Sequence, residues 1–259
     1  MRFFACCFAW FAFAAGAQVV PPNPAGVSMG HLHLNAKDPE LQKKLWVDVI
    51  GAQAAKLGPL DVYKLPGVIV IVNKAVPTGG TAGSSVNHIG VKVRDLAAAG
   101  AKVDAASYKV VMRNDQQIMF DGPDDLRVEI TLDAQAEAPV MNHHIHFYTS
   151  DLEATRDWYV TRFGAVPGMR GKFVAADLPG VNLSFTKAPE PVVGTKGRAL
   201  DHIGFEVKNL EAFTKKLEAS GVKFDIPYRK IERIGTAVAF FTDPWGTYVE
   251  LTEGLSSIR

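Results

Sequence analysis

The residues of this chain best equipped for chemistry are histidines and two glutamates, and they recur in register. Four stretches place a His seven residues before an Asp or Asn: His31 before Asp38, His88 before Asp95, His144 before Asp151 and His202 before Asn209. His31 to His88 spans 57 residues and His144 to His202 spans 58. A glutamate follows each pair, Glu129 at 41 residues beyond His88 and Glu250 at 48 beyond His202. Two imidazoles and a carboxylate form a donor set suited to Fe2+, Mn2+ or Zn2+, with coordination positions left open for water and substrate. Chain order groups these donors as His31, His88 and Glu129 in one set and His144, His202 and Glu250 in the other. The alternative for the same residues is a polar floor without metal. His33 and His146 stand two residues beyond the first His of each set, on the same strand face. That places them either to move a proton beside a metal or to hold a ligand by a hydrogen bond. Tyr248, two residues before Glu250, would orient substrate or form a pocket wall.

The elements that must carry these side chains are legible around them. In Asn87-His88-Ile89-Gly90-Val91-Lys92-Val93 and Asp201-His202-Ile203-Gly204-Phe205-Glu206-Val207, apolar and other residues alternate, the signature of a half-buried strand. The histidines share one face, and the apolar residues belong against helices. The Asp or Asn closing each stretch is a helix N-cap. Pro39 then suits a first helical position, and Leu41, Leu45, Trp46, Val49 and Ile50 follow at helical spacing. Ser150 and Glu153 suggest a capping box before Leu152, Trp158, Tyr159 and Phe163, while Leu210, Phe213 and Leu217 run to a terminating Gly221. Each unit ends in strand-like runs, at 68–72, 127–132, 181–185 and 247–251. A strand, a helix and a meander of about three strands is thus repeated four times. The 7-residue difference between the two His-to-Glu intervals suggests a shortened helix in the second unit, Asp95 to Gly100 against Asn209 to Gly221.

The short polar link 133–139 separates the second unit from the third, and longer loops at 73–85 and 187–198 separate the members of each pair. The expected domains are therefore residues 25–133, holding the first two units, and 140–259, holding the last two.

This pattern resembles the vicinal oxygen chelate superfamily, which includes glyoxalase I, extradiol dioxygenases, fosfomycin-resistance proteins and bleomycin-binding proteins. The resemblance rests on the His-Ile-Gly strand starts, on Ser150-Asp151-Leu152-Glu153-Ala154 leading to Trp158-Tyr159, and on Asp243-Pro244-Trp245-Gly246 before Val249-Glu250. It implies an α+β fold of four βαβββ modules forming two tandem open β-barrels. Carried over by position, it implies metal ligands His144, His202 and Glu250 in the second barrel and His31, His88 and Glu129 in the first. Two departures bear on activity. Glyoxalase I adds a glutamate on the last strand of its odd modules, where this chain has Ile71 and Ser184. Ring-cleaving dioxygenases add a His between the two ligand histidines and a Tyr ten residues before the Glu. Here no His lies between His146 and His202, and Phe240 holds the Tyr position. The resemblance implies a metal-dependent enzyme binding a small substrate through vicinal oxygens, with His146 and Tyr248 as candidate catalytic residues. The alternative is a metal-free protein that sequesters a small molecule.

Composition bounds the rest. The 259 residues are 47% hydrophobic and 21% charged, which excludes a disordered chain. With 28 basic and 27 acidic residues, the near-zero net charge gives no electrostatic footprint for nucleic acid. Arg2, a 13-residue apolar run from Phe3 to Ala15, and Ala15-Gly16-Ala17 read as a secretory signal over residues 1–17. The run is too short for a membrane span. Cleavage would give a secreted or periplasmic protein starting near Gln18, off the membrane, a monomer or homodimer acting on a small molecule. Both cysteines lie in the signal, so the mature protein would have no disulfide and no thiolate.

Overall fold

The computed structural model describes residues 19–255, so the expected signal at 1–17 lies outside the described residues. Among the described residues no helix is long and apolar enough to cross a membrane. Four βαβββ units follow one another. The first holds β1 (Val27–Ala36), α1 (Pro39–Lys43) running into a π-helical turn at Lys44–Ile50, β2 (Gln53–Leu57), β3 (Leu60–Leu65) and β4 (Val68–Lys74). The second holds β5 (Val86–Val93), α2 (Leu96–Ala105), β6 (Lys109–Arg113), β7 (Gln117–Asp121) and β8 (Arg127–Leu132). The third holds β9 (Val140–Thr149), α3 (Leu152–Phe163), β10 (Val166–Arg170), β11 (Phe173–Leu178) and β12 (Val181–Lys187). The fourth holds β13 (Leu200–Val207), α4 (Leu210–Ala219), β14 (Phe224–Ile231), β15 (Thr236–Thr242) and β16 (Tyr248–Glu253).

Each helix begins where the repeated Asp or Asn predicts. The side chains of Asp38, Asp95, Asp151 and Asn209 accept hydrogen bonds from the backbone N–H of Glu40, Ala98, Ala154 and Ala212. At the third helix the cap is Asp151 itself, so the box expected of Ser150 and Glu153 is not what starts it. The second helix is not shortened: α2 and α4 have 10 residues each. Gly100 lies inside α2 instead of ending it, where a Cβ would come within 2.8 Å of Ile118 Cδ1. Glycine here lets the helix approach its sheet closely. The additional residues of the fourth unit lie mostly in a longer β14–β15 hairpin.

The strands form two open eight-stranded mixed sheets, and each sheet draws its strands from both of the expected stretches, 25–133 and 140–259. One sheet joins the first unit to the fourth, in the order β14-β15-β16-β13-β1-β4-β3-β2. The other joins the second to the third, in the order β10-β11-β12-β9-β5-β8-β7-β6. Units therefore pair across the 25–133 and 140–259 groups, not within them. The physical reason lies in the connections. The short 133–139 link only steps from β8 across β5 to β9, which β5 pairs antiparallel. The two long loops are the ones that cross between sheets, and they pair with each other: Thr78 N–H donates to Gly197 C=O at 2.8 Å and Ser85 N–H to Val193 C=O at 2.9 Å.

The helical faces of both sheets share one core. Between them lies α3, whose Tyr159 packs against Phe147 and Phe185 of one sheet and Phe205 of the other. Two Pro-Gly turns meet at the junction of the sheets. Met29 N–H donates to Pro179 C=O at 2.8 Å, and Asn142 N–H to Pro66 C=O at 3.0 Å. At Gly67 (φ 90°) and Gly180 (φ 87°) the left-handed backbone disfavours a side chain, and a Cβ would press on the other's carbonyl oxygen at 3.1–3.2 Å.

Candidate metal centres

On the face away from the helices, each sheet assembles histidines from one strand pair and a glutamate from a third strand. In the first sheet, antiparallel β1 and β13 set His31 opposite Gly204 and His33 opposite His202, while parallel β16 sets Glu250 beside Gly204. The row His31, Gly204, Glu250 explains the Gly of His-Ile-Gly. A Cβ at Gly204 would stand 2.1 Å from Cε1 of His31, so the ring needs the bare backbone there. In the other sheet His144 lies over Gly90, where a Cβ would meet its Cε1 at 2.0 Å, and Glu129 lies beside Gly90.

The candidate ligands therefore group as His31, His202 and Glu250 (the first centre) and His88, His144 and Glu129 (the second). The chain-order sets, His144 with His202 and Glu250, and His31 with His88 and Glu129, are divided between the sheets. His146 and Tyr248 part as well: His146 stands beside His88, with ring centroids 4.6 Å apart, and Tyr248 stands beside His202, at 5.7 Å. The residue that occupies the place of His146 in the first centre is His33, with its ring 4.5 Å from that of His202.

At the first centre, Nε2 of His31 and Nε2 of His202 lie 2.9 and 2.8 Å from the same oxygen, Oε2, of Glu250. All three residues are buried. One ligand atom from each, and one from His33, fall within 4.8 Å of one another, a group that could hold a metal ion. A β-bulge at Asp201 interrupts the β1–β13 register, and such bulges re-aim side chains. Here the Asp201 carboxylate turns to Nδ1 of His202 at 2.6 Å, and is itself held by the Gly197 N–H at 2.6 Å and the Asn35 amide at 3.2 Å. This fixes the His202 ring with Nε2 facing the centre. Among the described residues, the buried Nδ1 of His31 has no hydrogen-bond partner. The turn before β16 is anchored by buried Asp243, which accepts from Tyr159 Oη at 2.8 Å and from the Thr247 N–H at 2.8 Å.

Electrostatics follow from these contacts. Burial opposes charge on Glu250, yet His31 and His202 hold its carboxyl far below the usual range. Burial likewise opposes charge on Asp201 and on His202, and their mutual bond lowers the one and, with Glu250, raises the other. Burial, with His202 and His31 as like neighbours, lowers His33 to about 3. The walls are apolar or aromatic: Phe240 stacks on Tyr248 at 5.5 Å, Lys196 Nζ lies 4.3 Å over the Tyr248 ring, and buried Ile71 sits beside His33.

The second centre repeats the plan with different neighbours. His88 Nε2 lies 3.3 Å from Glu129 Oε2, and His144 Nε2 lies 3.8 Å from Glu129 Oε1 and 3.2 Å from His88 Nε2. The bulged residues are Asn87, whose Oδ1 is 2.9 Å from His88 Nδ1, and His143, whose Nδ1 is 3.1 Å from His144 Nδ1. Arg170 enters from β10: Nε donates to Ser184 Oγ at 2.7 Å, Nη2 lies 3.4 Å from His146 Nδ1, and Nη1 lies 4.0 Å from Glu129 Oε1. His146 Nε2 meets Thr186 Oγ1 at 2.7 Å. Burial lowers His88, His144, His143 (to about 4) and His146 (to about 3). Glu129 is lowered despite burial, chiefly by His88. A cavity of about 650 Å³ opens alongside, lined by Arg170, His143, Lys92 and Asn182 among others.

Of the supporting residues, Asp201 and Asn87 carry a sequence signal, since each immediately precedes its histidine. Arg170 carries none, as it lies in an exposed strand with no motif around it.

No curated protein matches this sequence. Over nearly its whole length the chain has a fold similar to that of glyoxalase I from Zea mays, with a TM-score of 0.70 at 15% identity, covering 89% of this chain and 94% of that one. A putative dioxygenase from Bacillus subtilis subsp. subtilis str. 168 is similar to the same degree, with a TM-score of 0.69 at 15% identity, covering 91% and 86%. Residues 142–251 match the sequence model of the Glyoxalase/Bleomycin resistance protein/Dioxygenase superfamily. Residues 142–251, from β9 into β16, are thus similar to that superfamily, within a chain whose fold is similar to that of glyoxalase I.

Proposed function

We propose that this protein is an exported, divalent-metal-dependent enzyme whose working centre is His31, His202 and Glu250. The observation that carries the reading is the convergence of two imidazole nitrogens on one carboxylate oxygen, with Asp201 behind His202. The donors fit a divalent ion. Glu250 and Asp201 bring two negative charges, His202 is oriented to offer Nε2, and the set suits Fe2+, Mn2+ or Zn2+. When bound, the ion would polarise a substrate that chelates it through two neighbouring oxygens. Ile71 supplies no ligand from β4, so positions remain for those oxygens. His33, neutral and adjacent to the ligands, is placed to hold the bound substrate by a hydrogen bond. Tyr248 and Phe240 form an aromatic wall that orients the substrate and limits water at the centre.

Purified protein reconstituted with Zn2+, Mn2+ or Fe2+ is the test. Metal should be retained by the wild type and by His144→Ala, and lost from Glu250→Ala and His202→Ala. Turnover should then be sought with small substrates that carry two neighbouring oxygens, for isomerisation and for dioxygenation in turn. The metal-free sequestering alternative predicts small-molecule binding that survives Glu250→Ala, and the cavity beside the second centre is the observation in its favour.

A further inference from the structure

The two centres share a backbone plan but not a charge balance. Around the first, Glu250 and Asp201 are carboxylates, and among the described residues the ion pairs of Glu250 are all with histidine. A divalent cation there meets two negative charges. Around the second, the residue behind His88 is the neutral amide Asn87, leaving Glu129, among the described residues, as the one carboxylate in contact with the histidines. Arg170 already supplies a positive charge within 4.0 Å of it. A buried carboxylate beside a part-buried guanidinium already has much of its charge compensated. Adding a divalent ion would leave two positive charges uncompensated in a site where Glu129, His88, His144 and His146 are all buried.

The corresponding position of the first unit shows what the guanidinium replaces. β2 and β10 are both five residues long and end immediately before equivalent two-residue turns, so that Leu57 stands where Arg170 does. Leu57 is buried and apolar. Ile71 likewise stands where Ser184 accepts from Arg170 Nε. Thus the first centre has a hydrophobic flank and the second an arginine together with its hydrogen-bond seat. Arginine remains charged at any working pH, so this cation cannot be removed by deprotonation.

We propose that Arg170 closes the second centre to divalent cations, so that the chain carries one metal ion, at the first centre, and none at His88, His144 and Glu129. This goes beyond the function proposed above, which concerns the first centre alone.

The experiment is a Zn2+ titration of the metal-free full chain and of folded variants, read as ions bound per chain, with folding checked by thermal unfolding. The wild type should bind one ion, lost in Glu250→Ala and kept in Glu129→Ala. Arg170→Leu should bind two, the second at least a hundredfold tighter than any residual binding there in the wild type and abolished by adding Glu129→Ala. Arg170→Met, which keeps the length of the side chain, should behave alike if the leucine variant does not fold. Two ions in the wild type would overturn the inference while leaving the proposed function intact. Folded Arg170→Leu and Arg170→Met that still bind only one would overturn it too. No ion in the wild type with one in Arg170→Leu, lost on Glu129→Ala, would support the role of Arg170 and refute the proposed working centre. A single wild-type ion lost in Glu129→Ala but not in Glu250→Ala would refute both.

Discussion

Charge is the sharpest residue-scale distinction in this molecule. His33, His88, His143, His144 and His146 all have pKa values lowered by burial, whereas His202 is raised by Asp201 and Glu250. In the unfolded chain each would titrate near 6.5. Below that pH the unfolded state takes up protons that the five buried rings refuse, so stability must fall as pH drops through about 6.5. His202 works in the opposite direction, but it is one against five. The lowered carboxyls of Glu129, Glu250 and Asp201 contribute stability that is lost only below about 4. Each neutral histidine can contribute up to ~1.4 kcal/mol per pH unit. Denaturant unfolding of the metal-free protein should therefore show a loss of ~2–5 kcal/mol between pH 7.5 and 5.5. Equal or greater stability at pH 5.5 would show that these rings accept protons in the folded state. The ligand types were legible in the sequence because few other residues offer metal donors. Arg170 was not, because a basic residue in an exposed strand looks like any solvated lysine or arginine.

Strands and helices were read from alternation and caps, and the four Asp or Asn caps all appear where the repeat puts them. Reading Gly100 as a helix end failed for a physical reason. Glycine marks a C-terminus when it is needed for a left-handed backbone, but here it was needed for closeness to Ile118, which sequence does not display. The Gly of His-Ile-Gly has the same kind of cause, since its bare backbone accommodates a ring from the neighbouring strand. Gly204→Ala should push the His31 ring off the row, destabilise the fold by ~1–3 kcal/mol, as overpacking does, and weaken Zn2+ binding at least tenfold. Gly90→Ala should cost similar stability and leave the bound ion unchanged. Comparing thermal unfolding and Zn2+ content of the two variants checks both statements, and an unaltered ion in Gly204→Ala would remove His31 from the centre.

At the scale of the molecule, four units and their βαβββ order could be read from the repeat and an α+β fold from the resemblance, but the partners of each unit could not. Every unit offers a strand edge of the same kind, and either pairing places a His-x-His strand beside a His-Ile-Gly strand. The choice lies in which connections cross between sheets, and loop length alone pointed the wrong way. Because the sites form between sheet partners, that one ambiguity regrouped every ligand set. Exported protein should begin at or near Gln18, as read by N-terminal sequencing of the extracellular or periplasmic fraction, and material beginning at Met1 would refute cleavage.

The pairing of the first unit with the fourth gives the chain the form of nested brackets, the second and third units closing inside the first and fourth. The inner sheet is complete once residue 187 is available, whereas the outer one needs strands β1 and β16, from opposite ends. His31 and Glu250 can meet only after almost the whole polypeptide has been made. A chain that crosses a membrane unfolded would then have no outer centre to load in the cytoplasm, and would acquire its ion on the far side. Its metal would be set by the supply in that compartment, which decides occupancy where affinity alone follows a fixed order of ions.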